Sequence, residues 1–480
     1  MDNCILLRYG EIGLKSKRTR SAFEKKYVQA IEEALKRNSI SNFNIQNFGG
    51  RFVIYSNQVE NILPILKRIS GIQSFSPAFN ATFSSKEDLL KGVKSYGESL
   101  VRGKTFAVRA KRIGKHDFDS KELEREGGSV LFEESKGIDL GKPEVTILIE
   151  IRDKNYFIFT KTVKGMGGLP PLSSGKVLCL FSGGIDSPVA AYEMLKRGCQ
   201  VDFIIINLVG EKSLANALQV YNYIINQYAF SYIPKIFIVN GKKIVENITK
   251  EVPDRIRQIA LKIVFYQISE IIAKKEGYLA IATGESLSQK SSQTLPSLSL
   301  IESQIDIMVL RPLLSMDKIE ITEIAAMIGT LAKSEKVKEY CRLSMGPVVT
   351  SPTETMLKKI PSFKEMINEA LKEMKIIKGI ALVEENLELK PEQGYVSIDV
   401  RPKDLQELSK LKTDKSMPYP AVLNQLEEFD KEKSYLLICD YGVQSEEVAF
   451  LLRKKGIKAA GTSLNNYLKY FRGAGKTISG

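Results

Sequence analysis

The sequence predicts a multidomain α/β protein whose central domain contains a doubly wound parallel sheet. Its 480 residues correspond to about three or four domains of ordinary size. Between residues 177 and 283, apolar runs of strand length alternate with segments of helix length, which is typical of parallel strands joined by helices. A glycine-rich turn follows the first of these strands, at the edge of the sheet where such folds bind ligands.

The central domain is expected over residues 175–360, after a link rich in Gly, Pro and Ser at residues 165–175. Its elements follow from the period of the apolar residues. The predicted strands are Val177–Phe181, Val201–Leu208, Lys235–Val239 and Tyr278–Thr283, and the predicted helices are Pro188–Arg197, Leu214–Gln227 and one that ends at Lys275.

Three smaller units are predicted around this domain, over residues 1–75, 76–165 and 388–480. A charged helical stretch, Phe363–Lys378, is expected to be the hinge or tether of the last unit. The predicted strands are Cys4–Tyr9, Arg51–Tyr55, Thr105–Ala110, Glu144–Arg152, Tyr156–Lys161, Tyr395–Val400 and Tyr435–Cys439, and the predicted helices are Ser21–Arg37, Val59–Ser70, Lys86–Val101 and one from Ser120.

Composition and charge indicate a soluble globular protein with a polyanionic partner. Hydrophobic residues make up 43% of the chain and charged residues 26%. No apolar run approaches the roughly 18 residues of a spanning helix and no leader is seen, so a cytoplasmic location without membrane association is expected. The net charge is +14, and residues 1–165 carry 29 basic against 20 acidic side chains. This part is therefore expected to contact the polyanion, with a merely solvated basic surface as the alternative.

Cysteine and histidine usage excludes several kinds of site. The five cysteines form no Cys-x-x-Cys pair, and His116 is the single histidine. A disulfide framework, a Cys/His zinc site and a histidine-based triad are therefore not expected. His116 is expected to be a surface or RNA-facing residue rather than a catalyst.

The glycine-rich turn is Ser182-Gly183-Gly184-Ile185-Asp186-Ser187. Two glycines let the backbone approach an anion, Ser187 suits a helix N-cap, and a helix N-terminus favours negative charge. The turn predicts a phosphate-binding loop, with a glycine-rich turn that binds nothing as the alternative. No Gly-Lys-Ser/Thr ends the loop, so it is not a Walker loop. Its SGGxDS pattern resembles the PP-loop of ATP pyrophosphatases, which activate a carbonyl oxygen by adenylation.

This resemblance implies a set of ATP contacts. Asp186 is expected to bind Mg²⁺ or to orient the reacting groups, with no metal ligand certain. Lys318, which follows Asp317, is implied to support adenylation as pyrophosphate leaves. Lys262 is implied as a basic ATP contact, with a solvated helix lysine as the alternative. The other implied contacts are Leu180, Phe181, Ser182, Gly183, Gly184, Asp186 and Ser187, and also Gly284 and Gln293 in a segment that resembles the second nucleotide-binding segment of the tRNA thiouridine synthetases.

Two basic segments before residue 165 resemble parts of RNA-modifying enzymes. The opening Leu7–Ile12 with Leu14-Lys15 resembles the ferredoxin-like unit of the thiouridine synthetases. The stretch Phe106–Arg112 with Ser120–Glu124 resembles a THUMP domain. The expected RNA-binding residues are Lys15, Lys17, Arg18 and Arg20 in the first segment and Arg109, Lys111, Arg112 and Lys115 in the second.

Two cysteines stand in surroundings that favour reactivity. Cys439 ends an apolar run and precedes a loop and a helix, where N–H groups favour a thiolate or persulfide. Its unit resembles a rhodanese, although Gln444 stands where many rhodaneses have arginine, which favours sulfur delivered by a protein. Cys341 lies beside basic residues and resembles the second reactive cysteine of the thiouridine synthetases. A buried inert Cys341 and a catalytically dead rhodanese-like module are the alternatives.

Together, the ferredoxin-like unit, THUMP domain, PP-loop domain and rhodanese-like unit resemble the long form of the tRNA 4-thiouridine synthetases over nearly the whole chain. The resemblance implies that ATP adenylates the uridine at position eight of a tRNA and that a cysteine desulfurase loads Cys439 with sulfur. It also implies a Cys341–Cys439 disulfide that a reductant opens. Sulfur supply for thiamine synthesis and a homodimer are left open. The alternatives are an RNA-binding sulfur carrier without adenylation activity and thiolation of a different nucleobase.

Overall fold

The computed structural model describes residues 2–208, 210–337, 343–344, 346, 348–381, 394–403, 406, 411–419, 421–440, 443–464 and 467. The chain divides into two units. The first comprises Met1–Gly175, Met194–Gln200 and Gln227–Tyr232, and the second comprises Lys176–Glu193, Val201–Asn226 and Ile233–Gly480.

The first unit is built on one sheet, in the order β2-β3-β1-β4-β8-β7-β5-β6, with β9 paired to β4. Its strands are β1 (Asp2–Tyr9), β2 (Asn44–Asn47), β3 (Phe52–Tyr55), β4 (Ile72–Thr82), β5 (Thr105–Ile113), β6 (Gly137–Ile138), β7 (Val145–Arg152), β8 (Asn155–Phe159) and β9 (Val163–Lys164). Its helices are α1 (Lys17–Arg37), α2 (Val59–Leu66), α3 (Lys86–Val101) and α4 (Ser120–Leu131), with short 3-10 helices at Glu11–Leu14 and Phe132–Glu134.

Strand β4 joins what the sequence predicted as two separate units. It pairs antiparallel with β1 on one side and with β8 on the other, so the predicted boundary between residues 75 and 76 falls inside it. Tyr27 and Leu66, on α1 and α2, belong to one hydrophobic core of the sheet, whereas Leu89 and Leu123, on α3 and α4, belong to another. Two helix pairs therefore share one continuous sheet.

The second unit contains a six-stranded sheet in the order β14-β13-β10-β11-β12-β15. Its strands are β10 (Lys176–Leu180), β11 (Gln200–Asn207), β12 (Lys235–Asn240), β13 (Ala280–Ala282), β14 (Met308–Leu310) and β15 (Lys375–Lys378). The helices are α5 (Asp186–Lys196), α6 (Glu211–Tyr228), α7 (Lys242–Glu251), α8 (Arg257–Glu276), α9 (Leu295–Glu302), α10 (Lys318–Met327), α11 (Leu331–Ser334), α12 (Glu354–Leu357) and α13 (Lys364–Lys372), with short 3-10 helices at Asp254–Ile256 and Ser291–Gln293.

The predicted doubly wound parallel sheet is confirmed. Strand β10 is parallel to β13, β13 to β14, and β11 to β12. Strand order reverses at β10, because the next strand along the chain lies on one side of it and β13 lies on the other. In such sheets the crevice beyond the carboxyl ends of the strands at the reversal is the usual ligand site. The segments that follow β10 and β13 therefore meet where a ligand is expected.

The predicted helical tether Phe363–Lys378 is wrong. Its first half is α13, whose Met366, Ile367 and Ala370 are buried in the core of the second unit. Its second half is β15, which pairs antiparallel with β12 at the edge of the sheet. The stretch contains many charged residues, and for that reason the sequence predicted a linker. The apolar residues of one helix face and of a four-residue edge strand are too few to stand out among them.

The last part of the second unit has a four-stranded parallel sheet in the order β17-β16-β18-β19. Its elements are β16 (Val396–Asp399), β17 (Lys415–Ser416), a 3-10 helix Ala421–Glu428, β18 (Ser434–Cys439), α14 (Val443–Lys454) and β19 (Lys458–Ser463). Leu437 and Val448 pack together in its core. Across the described residues, none of the helices combines the length and the apolar character needed to cross a membrane.

Candidate active site

The loop after β10 directs backbone N–H groups inward. The amides of Ser182 and Gly183 donate to the Ser187 hydroxyl at 3.1 and 3.2 Å. Helix α5 begins at Asp186, so Ser187 lies in the first turn and closes the loop, and is not the N-cap that the sequence predicts. The Ser187 hydroxyl thus holds both amides and fixes the course of the loop at the start of α5.

Only glycine fits at position 183, because of its backbone conformation and the close approach of its neighbours. Its φ of +77° lies in the left-handed region, and a Cβ there would stand 2.6 Å from the Ala217 Cα atom of α6. Val337, four residues before Cys341 in the sequence, lies on the same side at 3.4 Å from that position. The loop therefore packs closely against α6.

The segment after β13 meets the loop through Gly284. A Cβ at Gly284 would lie 2.9 Å from the Asp186 carbonyl carbon and the Ser187 nitrogen, so the two backbones are in contact. The Gln289 side-chain amide donates to Asp186 Oδ2 at 3.1 Å. Among the described residues, the buried amide oxygens of Gln289 and Gln293 have no hydrogen-bond partner. Two such acceptors suit the N–H and O–H donors of a nucleoside.

Lys318 reaches the other oxygen of the same carboxylate. Its Nζ lies 2.5 Å from Asp186 Oδ1. Asp317 is the N-cap of α10, where it accepts from the backbone of Ile319 and Glu320, and Glu320 completes a capping box. Asp317 therefore has a structural role that fixes Lys318 at the first residue of the helix.

Lys262 lies behind the nucleotide segment, in a buried ionic network. Its Nζ is 2.5 Å from Glu285 Oε1, and Arg311 Nε is 3.0 Å from Glu285 Oε2. Tyr266 also donates to Glu285, at 2.5 Å. Burial alone would raise the pKa of the Glu285 carboxyl, but Lys262, Tyr266 and Arg311 lower it below its ordinary value. Lys262 is thus a part-buried member of an ion-pair network and not a solvated helix lysine. The signal that sequence reasoning missed is Glu285, a carboxylate directly after an apolar strand.

Glu285→Ala is expected to lower the free energy of unfolding by about 3 kcal/mol, because it leaves the part-buried Lys262 without its carboxylate and leaves Arg311 with Glu302 alone. The matched control is Glu276→Ala, which breaks the more exposed pair with Lys235 at 2.8 Å and should cost less than about 1 kcal/mol. Urea unfolding followed by circular dichroism measures both. Equal losses in the two variants would show that the Glu285 network does not stabilise the segment.

Cys439 lies at the carboxyl end of β18 and is 2% exposed. The Ser445 backbone N–H donates to the Cys439 sulfur at 3.4 Å, and the Ser445 hydroxyl, also 3.4 Å from the sulfur, donates to the Thr462 carbonyl. Nearby, Asp399 and Arg401 form a buried ion pair at 2.7 Å. The sulfur therefore faces the first turn of α14, through its contact with Ser445.

The other described cysteines are buried, and Cys341 is not described. Burial raises the pKa of the Cys179 thiol to about 12, as expected for a residue inside an apolar strand. Cys4 and Cys199 are buried in the first unit. Cys341 lies outside the described residues, so its role stays a prediction.

All eight of the predicted RNA-binding side chains are exposed or part-buried. Those of Lys15, Lys17, Arg18, Lys111 and Lys115 are exposed. The remaining three have partners within the unit: Arg20 bonds Glu24, Arg109 donates to the Leu140 carbonyl, and Arg112 lies 3.5 Å from His116 Nδ1. His116 itself contacts the Asp153 carbonyl and packs on Phe83, which is a structural role.

A cluster of three arginines was missed by the sequence. Glu150 is shared by Arg51 at 2.9 Å, Arg152 at 3.0 Å and Arg8 at 3.6 Å, so positive charge exceeds negative charge there. Burial lowers the pKa of Arg8 and Arg152, although Glu150 opposes that change. Charged residues at alternate positions of apolar strands were the signal that could have revealed the cluster.

The cluster connects the two predicted RNA-binding segments. Arg152 donates to the carbonyls of Phe48 and Gly49 in the turn before β3, and Gly50 of that turn lies against the Arg20 guanidinium. On its other side, Arg152 is the register partner of Ile113 at the end of β5. The structure thus brings the start of α1 and the end of β5 to neighbouring positions.

The described side chains at the loop offer few ligands for a metal ion such as Mg²⁺. The described residues contain no group of three or more His, Cys, Asp or Glu side chains that could hold a metal ion. Asp186 is the carboxylate at the loop, and its oxygens face Lys318 and Gln289. Because Mg²⁺ is commonly held by one carboxylate together with phosphate oxygens, Asp186 fits that ion only with a phosphate ligand present.

The class of protein is defined by family models that match three parts of the chain. Three family models match successive stretches: the ThiI ferredoxin-like domain at residues 4–76, the THUMP domain at residues 83–161, and Thiamine biosynthesis protein (ThiI) at residues 172–365. With the sheet and the loop described above, they define an enzyme in which a PP-loop domain is combined with a THUMP domain.

Full-length relatives identify the family. The tRNA sulfurtransferase of Thermoplasma volcanium is 35% identical over 98% of each chain, and that of Pyrobaculum aerophilum is 34% identical over 95% of each. The crystal structure of a 4-thiouridine synthetase–RNA complex with bound ATP matches with a TM-score of 0.67 and 30% identity, covering 79% of this chain and all of that one. The chain therefore belongs to the tRNA sulfurtransferase family. The predicted family, enzyme class and ferredoxin-like, THUMP and PP-loop folds are confirmed, whereas the rhodanese-like unit, the cytoplasmic location and the homodimer stay predictions.

Proposed function

We propose that the protein is an ATP-dependent 4-thiouridine synthetase that acts on the uridine at position eight of tRNA. The convergence on Asp186 carries this proposal, because Gln289 from the segment after β13 and Lys318 from α10 reach its two oxygens at the mouth of the loop. The matched 4-thiouridine synthetase structure, which contains RNA and bound ATP, supports the same substrates here.

Each part of the site has a task in this proposal. The glycine-rich loop at the start of α5 would bind phosphate oxygens, and the buried amide oxygens of Gln289 and Gln293, which have no hydrogen-bond partner among the described residues, would accept from the nucleoside. Asp186 would hold Mg²⁺, which supplies charge neutralisation to the phosphates. Lys318 would turn from Asp186 towards the departing pyrophosphate.

The proposed chemistry runs in two stages. The uridine O4 attacks the α-phosphorus of ATP and pyrophosphate leaves, which converts the oxygen at C4 into an AMP leaving group. The terminal sulfur of a Cys439 persulfide, loaded by a cysteine desulfurase, then attacks C4 and expels AMP. The Cys341 thiolate attacks the Cys439 sulfur, which releases 4-thiouridine and leaves a Cys341–Cys439 disulfide. A dithiol reductant restores both thiols with two electrons.

The double variant Lys17→Ala/Arg18→Ala is expected to weaken tRNA binding and to flatten its salt dependence. Each lost phosphate contact reduces the slope of log K against log salt by about one. Filter binding at several salt concentrations measures this slope. Lys91→Ala/Lys94→Ala removes two exposed lysines of α3 and is the control. If both pairs change the slope equally, the effect is one of overall charge and not of a defined contact.

The proposed function is tested by product analysis. Unmodified tRNA, ATP, Mg²⁺, cysteine and a cysteine desulfurase are incubated with the protein, and the nucleosides are separated. The expected product is 4-thiouridine at position eight, with pyrophosphate released. A different thionucleoside would establish thiolation of another nucleobase. A persulfide on the protein without pyrophosphate release would establish the sulfur-carrier alternative.

Sulfur supply for the thiazole of thiamine is a second candidate function. It is favoured by the description of the family model that matches residues 172–365. A strain without this protein would then require thiazole for growth, and the intact chain would remove the requirement. Growth without thiazole in its absence would exclude this role.

A further inference from the structure

We propose that one face of α14, from Glu446 to Lys454, is a docking surface that fits the start of α6, and that this contact presents Cys439 to the PP-loop. The inference rests on the proposed function, because it concerns how sulfur on Cys439 reaches the adenylated base. Its evidence is independent of that function, since it consists of contacts between two parts of the second unit.

The contact is complementary in charge. Lys212 Nζ lies 3.8 Å from Glu446 Oε2, and Lys454 Nζ lies 3.7 Å from Glu211 Oε2. Each helix contributes one acidic and one basic side chain. In one pair the base belongs to α6, and in the other pair the base belongs to α14. Such crossed pairs set the orientation of two surfaces more than they add affinity.

Gly210 and Glu447 fit each other in shape. Gly210 has a φ of +117°, and a Cβ at this position would overlap the Glu447 carboxylate. Glu447 is 8% exposed, and the Tyr419 hydroxyl donates to it at 3.3 Å. Burial raises the pKa of the Glu447 carboxyl to about 7, while Tyr419 and Lys242 lower it and Glu211 raises it. Burial of this carboxylate under a glycine is costly, which suits a contact that forms and releases.

The receptor surface is next to the proposed adenylation site. The Gly210 N–H donates to the Asn207 side chain at the carboxyl end of β11, the edge of the sheet where the loop lies. Ala217, which packs against Gly183, is six residues beyond Glu211 and therefore about 9 Å along α6. On the other surface, Cys439 lies four residues before α14 begins. Docking of this face of α14 against the start of α6 thus brings the end of β18 to the side of the loop.

A charge exchange tests the contact. Glu211→Lys and Lys454→Glu each create repulsion across the surface, and the double variant restores attraction with the charges exchanged. Cys439 is first loaded with persulfide by a desulfurase, and sulfur transfer to tRNA is then measured in a single turnover with ATP. Each single variant is expected to slow transfer about fivefold or more, and the double variant is expected to recover to within about twofold of wild type.

The control exchanges Lys243 and Glu369, an exposed pair at 3.5 Å in the same unit, and should not change transfer. Small-angle X-ray scattering gives a structural readout, because the radius of gyration should rise in the single variants and return in the double variant. Unchanged transfer in the single variants, or no recovery in the double variant, would overturn the docking proposal. Pyrophosphate release and persulfide loading should remain at the wild-type level in all of these variants. Failure of the docking proposal is therefore distinguishable from failure of the proposed function, because the latter would appear as absence of pyrophosphate release in the wild-type protein.

Discussion

Cys439→Ser is expected to abolish sulfur transfer to tRNA, by about three orders of magnitude or more, while pyrophosphate release with ATP and tRNA continues. A serine hydroxyl cannot hold sulfane sulfur, and no other described cysteine lies at the carboxyl end of β18. The oxygen occupies the same place beside Ser445, so the fold is expected to be retained. Transfer is measured as 4-thiouridine formed, and release as pyrophosphate.

The matched control is Cys199→Ser, which changes a buried cysteine of the first unit and should leave transfer within about twofold unless it weakens folding. Circular dichroism of both variants separates loss of structure from loss of chemistry. Retention of transfer by Cys439→Ser would assign the sulfur to another group.

Lys318→Met is expected to slow pyrophosphate release by at least about 100-fold, because it removes the cation that faces Asp186 at the loop. Asp317 still caps α10, so the helix should begin at the same residue. The persulfide on Cys439 should form at the normal rate, since its unit is unchanged. This variant therefore blocks the first stage and leaves the loading of sulfur intact.

Lys243→Met is the control for lost positive charge, because Lys243 is an exposed lysine of the same unit whose partner is Glu369. It should release pyrophosphate at the wild-type rate. If Lys318→Met also releases pyrophosphate normally, Lys318 does not act in adenylation and its bond to Asp186 is purely structural.

The sequence was most informative where function is encoded locally. The PP-loop between Leu180 and Asp186 was predicted because glycines, a preceding apolar strand and a following helix are all consecutive in the chain. The alternation of strands and helices likewise predicted the parallel sheet of the second unit, since each period is visible within one segment. Helix α3 was predicted with the bounds the structure has, and the structure shows that Ser85 caps its first turn.

The sequence was least informative where the chain makes long-range pairings. Strand β4 was not predicted as a bridge between two helix pairs, because a strand does not reveal its neighbours. The network of Lys262 and Glu285 joins residues 23 apart, and the cluster of Arg8 and Glu150 joins strands that are distant in the chain. A period of apolar residues predicts which side chains are buried and does not predict which charges pair with each other.

The most direct measurement of the proposed mechanism is the stoichiometry of one turnover. Protein carrying a labelled persulfide on Cys439 is mixed with tRNA and ATP, and 4-thiouridine, AMP, pyrophosphate and the remaining label are counted. The prediction is one AMP and one pyrophosphate for each labelled 4-thiouridine. One persulfide is lost and one disulfide is formed in the same turnover, and Cys341→Ser is expected to prevent formation of that disulfide. Labelled 4-thiouridine formed without an equal amount of AMP would contradict adenylation as the step that activates the base.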